Sequence, residues 1–362
     1  MRQLGISIYP DRAPLEEHIA YIHLAGKYNF KRIFTCLISA TGNPEKLLEE
    51  FKEIVGAANV YDMAVIADVS PDVFQALGVD YTDLKLFSDM GLAGIRLDLG
   101  FSGNEESIMT CNPHGLKIEI NMSNGTRYLE TILSYQPIKE NLYGCHNFYP
   151  HRYTGLSMTH FMACSEQFKS LNIRTAAFVS SKPANFGPWP VSDGLPTLEA
   201  HRDLDIVTQA KEIFNTGLID DVIIGNCFAS EEEIKALSEM NKEVLTFDID
   251  LLDGLPEVEK NIVLNCFHFN RGDVSEFMIR STQSRVVYKG HYFEPLNTKQ
   301  IEKGDILIDS SLYSRYAGEL QIALKDMKNQ GKTSVVGRIK SDEIYLLDTI
   351  KPWQKFAFKL RK

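Results

Sequence analysis

The chain lacks the marks of a membrane or secreted protein. Its 362 residues contain no apolar run close to the roughly 20 residues that a helix needs to cross a bilayer. The N-terminal residues also lack the basic segment, apolar core and small-residue cleavage site of a secretory signal. We therefore expect a cytoplasmic protein that does not bind membranes.

The sequence patterns of common metal and cofactor sites are missing as well. The six cysteines are scattered, without the Cys-x-x-Cys pairs or the Cys/His spacing of zinc sites. No Gly-x-Gly-x-x-Gly follows the first strand candidate, and neither a P-loop nor a Gly-x-Ser-x-Gly elbow occurs. We therefore expect no metal, no bound cofactor and no serine nucleophile.

Basic residues are outnumbered by acidic ones. The 38 lysines and arginines stand against 48 aspartates and glutamates, which leaves a formal net charge of −10. Binding to the phosphates of a nucleic acid needs clustered lysine and arginine, so this balance argues against a general nucleic-acid-binding protein. A small anionic substrate remains compatible with it, because a few arginines can cluster within an acidic protein.

The chain does contain a repeated alternation of short apolar runs with longer segments of helical period. The strand candidates are residues 4–9, 31–37, 64–70, 93–99, 117–123, 142–149, 173–180 and 221–227. The helix candidates are residues 13–28, 44–59, 82–90, 104–110, 126–134, 158–170, 199–214 and 230–240, and Asn43 and Ser230 are typical of helix starts. This alternation within about 240 residues predicts an α/β fold, a closed TIM (β/α)8 barrel, with an open doubly wound sheet as the alternative.

The alternation ends near residue 245. Beyond it lie short strand candidates at 267–278, 283–292, 305–308, 334–339 and 343–348, separated by turn residues, with one helix candidate at 319–328. A chain of this length also exceeds what one hydrophobic core usually supports. We therefore predict two domains, a (β/α)8-barrel catalytic domain over residues 1–245 and a small, mostly β domain over residues 246–362.

Several of the barrel strand candidates end in a polar residue just before a turn. The carboxyl ends of the strands form the active-site face of a (β/α)8 barrel, so Asp68 and Asp98 are the first catalytic candidates. Capping of the following helix is the alternative role for each. Alternate residues of a strand face opposite sides, which places Arg96, Glu119 and Asn121 in the interior as well. We expect Arg96 and Glu119 to form a structural ion pair, because buried charges normally find partners.

Two long loops follow the sixth and seventh strand candidates, and ordered loops longer than about 12–15 residues are usually functional. Trp189 is suited to stack on a sugar. Arg152 and Arg202 are candidates for binding a phosphate or carboxylate through paired donors. Glu199 is either a helix-start carboxylate or a third catalytic candidate. The other candidate substrate contacts are Tyr9, Asn121, Asn147, Tyr149 and Asn226. Fixing the loop at the rim is the alternative role for Asn147, Tyr149 and Asn226.

Paired carboxylates at a barrel mouth with aromatic and arginine neighbours favour glycoside hydrolysis. One carboxyl group then protonates the leaving oxygen while the other attacks the sugar or activates water. A carbohydrate-binding barrel without catalysis is one alternative, and a sugar-phosphate isomerase or aldolase is another. A Schiff-base aldolase needs an inward lysine, and the nearest candidate, Lys117, begins its strand at the wrong end.

A set of phrases spread along the whole chain resembles the bacterial 6-phospho-N-acetylmuramidase family of glycoside hydrolases. These phrases are Ser7-Ile8-Tyr9-Pro10, Ile95-Arg96-Leu97-Asp98, His146-Asn147-Phe148-Tyr149-Pro150, Arg174-Thr175-Ala176-Ala177-Phe178, Gly194-Leu195-Pro196-Thr197-Leu198-Glu199 with His201-Arg202, Ile223-Ile224-Gly225-Asn226 and Tyr316-Ala317-Gly318-Glu319-Leu320-Gln321. The resemblance implies a barrel followed by a small cyclophilin-like β domain.

The same resemblance implies a small phosphorylated disaccharide as the substrate. Arg152, Arg202 and Arg12 are then candidates for binding its phosphate and lactyl carboxylate. The implied reaction is hydrolysis of the β-1,4 bond of a 6-phosphomuramyl disaccharide during peptidoglycan recycling in the cytoplasm. It assigns no catalytic residue, so the roles of Asp98, Asp68 and Glu199 rest on the residues alone. The oligomeric state stays open, a homo-oligomer included.

Overall fold

The computed structural model describes residues 1–37, 44–189 and 191–361. The chain divides into two compact units, Met1–Met240 and Asn241–Lys362. The first unit is an α/β barrel, and the second is built mainly from β-strands.

Parallel strands close the barrel in chain order, which confirms the predicted (β/α)8 fold. They are β1 (Gln3–Ile8), β2 (Arg32–Cys36), β3 (Ala64–Val69), β4 (Gly94–Leu97), β5 (Lys117–Asn121), β6 (Leu142–Cys145), β7 (Arg174–Val179) and β8 (Asp221–Ile224). Pairing of β1 with β8 completes the ring, so the sheet has no free edge.

Helices follow the strands of the barrel. They are α1 (Leu15–Lys27), α2 (Pro44–Asn59), α3 (Pro71–Leu77), α4 (Lys85–Asp89), α5 (Asn104–Thr110), α6 (Tyr128–Ser134), α7 (Met158–Lys169), α8 (Ile206–Asn215) and α9 (Glu231–Glu239). At the start of α9, Ser230 caps the backbone N–H of Glu233, whose side chain reaches back to complete a capping box. Asn43, the predicted start signal of α2, lies outside the described residues. None of the described helices is long and apolar enough to span a membrane.

Two helix predictions need correction. The helix expected from residue 199 begins at Ile206, because Asp205 caps the backbone N–H groups of the first turn. Helix α3 was not predicted, although Ser70 at its N-cap and Pro71 at its first position are common start signals.

The core of the barrel unit lies between the strands and the surrounding helices. Apolar residues on the outward face of each strand, such as Ile6, Ile95 and Ile118, are fully buried there. Burial of one such side chain stabilises the fold by about 1.5–3 kcal/mol. The inward face is left free for polar groups, which is the condition for a site inside the barrel.

The second unit is a seven-stranded mixed sheet, in agreement with the predicted small, mostly β domain. Its strands are β9 (Leu245–Leu251), β10 (His268–Phe269), β11 (Met278–Ser281), β12 (Asp305–Asp309), β13 (Leu320–Ala323), β14 (Thr333–Ile339) and β15 (Lys355–Leu360), in the spatial order β10-β15-β9-β14-β12-β13-β11. Two helices, α10 (Glu257–Asn265) and α11 (Gln283–Val287), accompany the sheet.

Three element predictions in this unit are wrong. The helix predicted over residues 319–328 contains strand β13, and the strand predicted over residues 283–292 contains helix α11. The strand predicted over residues 343–348 lies in a 3-10 helix, Ser341–Thr349. Short apolar runs do not distinguish strand from helix by periodicity, so pairing with neighbouring strands decides their conformation.

Candidate active site

Arginine and carboxylate side chains form two clusters inside the barrel. The lower cluster, at the amino-terminal side of the strands, consists of Arg32, Arg174, Glu119 and Asp221. Arg32 donates from Nη1 to Asp221 Oδ2 at 2.9 Å and from Nη2 to Glu119, and Arg174 Nε donates to the same Asp221 oxygen at 2.9 Å. Two arginines thus balance two carboxylates.

The expected ion pair between Arg96 and Glu119 is wrong. Glu119 pairs with Arg32, whereas Arg96 pairs with Asp68. Arg32 is the first residue of β2 and follows Lys31, so its sequence context resembles a solvated strand end. Its even spacing from Phe34, which lines the barrel interior, is the signal that identifies it as inward-facing.

The upper cluster consists of Arg96, Asp68, Asp98, Asn121 and Asn147. Arg96 donates from Nη1 to Asp68 Oδ1 at 2.9 Å, and its Nη2 lies 3.4 Å from Asp98 Oδ1 and donates to Asn147 Oδ1. Asn121 Nδ2 donates to Asp98 Oδ1 at 3.2 Å. One arginine therefore faces two carboxylates, which leaves an excess of negative charge when both are ionised.

Strand register explains why these groups meet. Asp68 on β3 is the direct neighbour of Arg96 on β4. Asp98 follows Arg96 by two positions, so it points to the same inner face at the carboxyl end of the strand. The two carboxylates are consequently presented side by side on the face where barrel enzymes bind substrates.

Asp68, Arg96, Asp98 and Asn147 of the upper cluster line a cavity of about 370 Å³, a volume within the range of small-molecule sites. The polar and charged residues that line it are Tyr9, Arg12, Asp68, Arg96, Asp98 and Asn147. The remaining lining residues are mostly apolar, namely Phe34, Cys36, Phe148, Pro150, Pro188 and Trp189. An apolar wall with few convergent polar groups is typical of a ligand site.

The two carboxyl groups differ in their environments. Burial raises the pKa of Asp68 to about 6, although Arg96 opposes the shift and the charge of Asp98 adds to it. The side chain of Asp98 is 39% exposed, against 10% for that of Asp68. Asp68 therefore keeps its proton to a higher pH than an ordinary aspartate does.

Three aromatic rings, those of Tyr9, Phe34 and Phe148, line the same cavity as the upper cluster. Phe34 packs edge-to-face against Tyr9, Phe148 and Phe178, with ring centroids 5.2–6.5 Å apart. The hydroxyl of Tyr9 donates to the carbonyl oxygen of Gly225 at 2.6 Å, and burial raises the pKa of Tyr9. Tyr9 is thus a fixed, neutral wall of the cavity.

Glu199, the third catalytic candidate, belongs neither to the upper cluster nor to the lining of the cavity. Its carboxylate accepts hydrogen bonds from Arg202 at 2.6 and 2.7 Å and from the backbone N–H groups of Tyr153 and Gly155 at 2.8 and 2.9 Å. The hydrogen bond from Arg202 lowers the pKa of Glu199 to about 2. Both oxygens of Glu199 are therefore engaged in holding the loop after β6.

Two of the three arginines predicted to bind an anion, Arg152 and Arg202, are engaged in protein contacts. Buried Arg202 donates from Nη1 to the carbonyl oxygens of Tyr149 at 3.1 Å and Asp193 at 2.8 Å. Arg152 binds Asp203 through two hydrogen bonds of 3.0 and 3.2 Å. Both arginines line a second cavity, of about 350 Å³, formed by the loops after β6 and β7.

Asn226 and Tyr149 support these loops. The amide of Asn226 donates to the carbonyl oxygens of Ser181 at 2.8 Å and Ala184 at 2.7 Å. The backbone N–H of Tyr149 donates to the carbonyl oxygen of Pro196 at 3.0 Å. Of the predicted substrate contacts, the cavity lining includes Tyr9, Asn147 and Trp189, whereas Asn121 contributes through its hydrogen bond to Asp98.

The structure also bears on the alternative chemistries. Lys117 starts β5, and its Nζ donates to Asn141 Oδ1 at 2.7 Å, away from the carboxyl ends of the strands where a Schiff-base lysine is needed. Among the residues that the structure describes, no group of three or more His, Cys, Asp or Glu side chains is placed to hold a metal ion.

Comparisons with known proteins identify the family. Residues 4–239 match the family model described as 6-phospho-N-acetylmuramidase, N-terminal, and residues 245–359 match the one described as 6-phospho-N-acetylmuramidase, C-terminal. An uncharacterized B. cereus protein of known crystal structure is 47% identical, with 99% of each chain covered and a TM-score of 0.92. A conserved Enterococcus faecalis protein of unknown function shares the fold, with 24% identity, 99% of this chain and 96% of that chain covered, and a TM-score of 0.71.

A search of curated proteins found no significant match. The two family models nevertheless cover nearly the whole chain and indicate a glycosidase. The chain therefore belongs to the 6-phospho-N-acetylmuramidase family.

Proposed function

We propose that the protein hydrolyses the β-1,4 bond of a 6-phospho-N-acetylmuramyl disaccharide in the cytoplasm, during recycling of cell-wall sugars. The observation that carries the proposal is the pair Asp68 and Asp98, which face one cavity from neighbouring strands in different environments. Membership of the family supports the reaction class. The free thiol state of all six cysteines supports a reducing compartment.

Asp68 is suited to act as the general acid. Its carboxyl group holds a proton up to a pH of about 6, and only one of its oxygens accepts a hydrogen bond from Arg96. In the proposed reaction this proton passes to the glycosidic oxygen as the bond from that oxygen to the anomeric carbon breaks. The departing sugar then leaves with a neutral hydroxyl.

Asp98 is suited to act on the anomeric carbon. It is the more exposed of the two carboxylates, and Asn121 and Arg96 orient it. Asp98 attacks the carbon directly when the two carboxyl groups lie about 5–5.5 Å apart, and activates a water at about 6.5–9.5 Å. Contact of both carboxylates with one guanidinium favours the closer arrangement, and therefore retention of configuration.

Participation of the substrate is the alternative route to retention. The 2-acetamido group of the cleaved sugar would attack the anomeric carbon, and Asp98 would orient the amide without bonding to the sugar. Replacing the substrate's acetamido group by a trifluoroacetamido group separates the two routes. A large loss of rate supports participation, and little change supports direct attack by Asp98.

The roles can be tested with Asp68→Asn and Asp98→Asn on the full chain. Each change is expected to lower kcat about 10²- to 10⁴-fold on the disaccharide, the usual contribution of a positioned acid or base. An aryl glycoside whose leaving group needs no proton should restore the Asp68→Asn variant, and azide should restore the Asp98→Asn variant.

Asp309 offers a matched control. Burial raises its pKa to about 6, as for Asp68, but it lies in the second unit, with hydrogen bonds from Thr333 at 2.8 Å and Gln321 at 2.7 Å. Asp309→Asn should retain turnover. Near-normal turnover in both Asp68→Asn and Asp98→Asn would remove the proposed roles.

A further inference from the structure

The two arginines that line the cavity differ in how many protein partners they have. Of the lining residues in the described part of the chain, two are basic, Arg96 and Arg12. Arg96 is buried and contacts Asp68, Asp98 and Asn147. The side chain of Arg12 is exposed and has no ion-pair partner among the described residues. Arg12 is therefore the cation left free to meet a ligand.

Local structure fixes the position of Arg12. It ends the short 3-10 helix Pro10–Arg12, which directly follows β1. Its backbone N–H donates to the carbonyl oxygen of Tyr9 at 2.9 Å, and Pro10 restricts the first position of the turn. Arg12 is thus held beyond the carboxyl end of β1, where it lines the cavity together with Tyr9.

The charge balance of the cavity indicates that an anionic substrate needs Arg12. Without Arg12, the lining holds two carboxylates and one arginine, which disfavours the entry of an anionic sugar. A phosphate on the sugar whose glycosidic bond is cleaved enters the same cavity as the reacting carbon. Its cation therefore has to line that cavity, a condition that Arg152 and Arg202 do not meet.

We propose that Arg12 binds the 6-phosphate of the cleaved sugar and so selects phosphorylated over unphosphorylated disaccharides, an inference that rests on the proposed function. Arginine suits this task because its planar guanidinium pairs with two phosphate oxygens at once. The lactyl carboxylate of a muramyl sugar is a second anion in the same cavity, and the experiment has to distinguish it from the phosphate.

The test measures kcat/KM of the wild type and of Arg12→Gln on three disaccharides. These are the 6-phosphomuramyl disaccharide, its unphosphorylated counterpart, and a 6-phosphorylated disaccharide without the lactyl group. In Arg12→Gln the ratio of phosphorylated to unphosphorylated kcat/KM should fall about 10- to 150-fold, the range expected when hydrogen bonds to a charged group are lost. Arg12→Lys should restore part of the ratio as a point charge.

Two further variants complete the design. Arg127→Gln changes an exposed arginine of the barrel that is not among the cavity-lining residues, and it should leave the ratio unchanged. Arg152→Gln tests the competing assignment. The proposal is overturned if Arg12→Gln lowers kcat/KM equally with and without phosphate, if its effect disappears without the lactyl group, or if Arg152→Gln carries the discrimination.

A binding measurement separates this inference from the proposed reaction. Trp189 lies at the cavity, so its fluorescence should report binding of N-acetylmuramic acid 6-phosphate and of N-acetylmuramic acid. Loss of the preference for the phosphorylated sugar in Arg12→Gln supports the inference, whether or not the wild type cleaves the disaccharides. Failure of the wild type to cleave any of them would contradict the proposed function alone. An unchanged preference sinks the inference alone.

Discussion

The lower and upper clusters of the barrel are built from the same kinds of side chain but differ in two respects. The lower cluster pairs two arginines with two carboxylates, and the side chain of Glu119 has no exposed surface. The upper cluster pairs one arginine with two carboxylates, and the side chain of Asp98 is 39% exposed.

The difference indicates what distinguishes a structural cluster of charges from a candidate catalytic cluster inside the same barrel. A buried ion pair with balanced charge holds its groups in one ionisation state, because losing either partner leaves an uncompensated charge. A cluster with one carboxylate in excess behaves differently, since burial and the neighbouring charge of Asp98 raise the pKa of Asp68 to about 6, where it can gain and lose a proton. Charge balance and access to water, rather than the presence of charge, therefore distinguish the candidate site.

The largest expected effect comes from breaking the lower cluster. Glu119→Gln removes the charge that faces Arg32, and removal of one partner of a buried pair costs about 3–5 kcal/mol. Asp98→Asn, the matching change in the upper cluster, should cost no more than about 1 kcal/mol because solvent screens the exposed pair. Urea denaturation of both variants checks the difference, and equal losses would contradict the comparison.

Asp68→Asn is expected to increase the free energy of unfolding, in contrast to Glu119→Gln. The folded-state pKa of Asp68 lies above its usual value, so ionised Asp68 destabilises the fold as the pH rises from about 4 to 6. Asparagine carries no charge, so the variant should be more stable than the wild type by about 1–3 kcal/mol at pH 8, with the gain vanishing below about pH 4. Urea denaturation across this pH range measures it. A gain that is independent of pH would point to a cause other than ionisation.

The pH profile of activity sharpens the assignment of the acid. Because Asp68 must carry a proton, kcat/KM on the disaccharide should fall as the pH rises through a midpoint near 6. In Asp68→Asn this descending limb should be missing from the pH profile measured with an aryl glycoside. A wild-type activity that increases over the same range would instead indicate that Asp68 acts as a base.

The smallest effect is expected for a substitution at Trp189, which should change substrate binding only slightly. Trp189 lines the cavity and is half-exposed, and loss of an aromatic stacking contact in Trp189→Ala should raise KM roughly 3- to 10-fold with little change in kcat. Trp353→Ala is the matched control, since Trp353 is exposed in the second unit and stacks on Phe269. Steady-state kinetics of both variants test this, and a change confined to kcat would assign Trp189 a different role.

The barrel could be predicted more completely than the second unit because its signals are local. In β5, alternation of apolar and polar residues placed a strand at 117–123, and the structure has it at Lys117–Asn121. In the second unit, β13 (Leu320–Ala323) is a short run that also suits a helix, and it becomes a strand by pairing with β11 and β12. Such pairing depends on distant segments and leaves no local signal.

The candidate site was predictable to the extent that strand geometry determines it. Alternation along β3 and β4 was sufficient to bring Asp68 and Asp98 to one cavity. The partner of Arg96 was not predictable, because it depends on which other interior residue neutralises Glu119. The contacts of the loop residues Glu199 and Arg202 were not predictable for a related reason, since the path of a loop does not follow from strand periodicity.

The contacts of Arg202 have a consequence for substrate recognition. Arg202 donates hydrogen bonds to carbonyl oxygens of the loops after β6 and β7 and also binds Glu199. These bonds hold the two loops together. The entropy of ordering this entrance is lost once, during folding, and not at each encounter with a sugar. More of the intrinsic attraction for a substrate is then available to bend its ring toward the geometry in which the bond breaks.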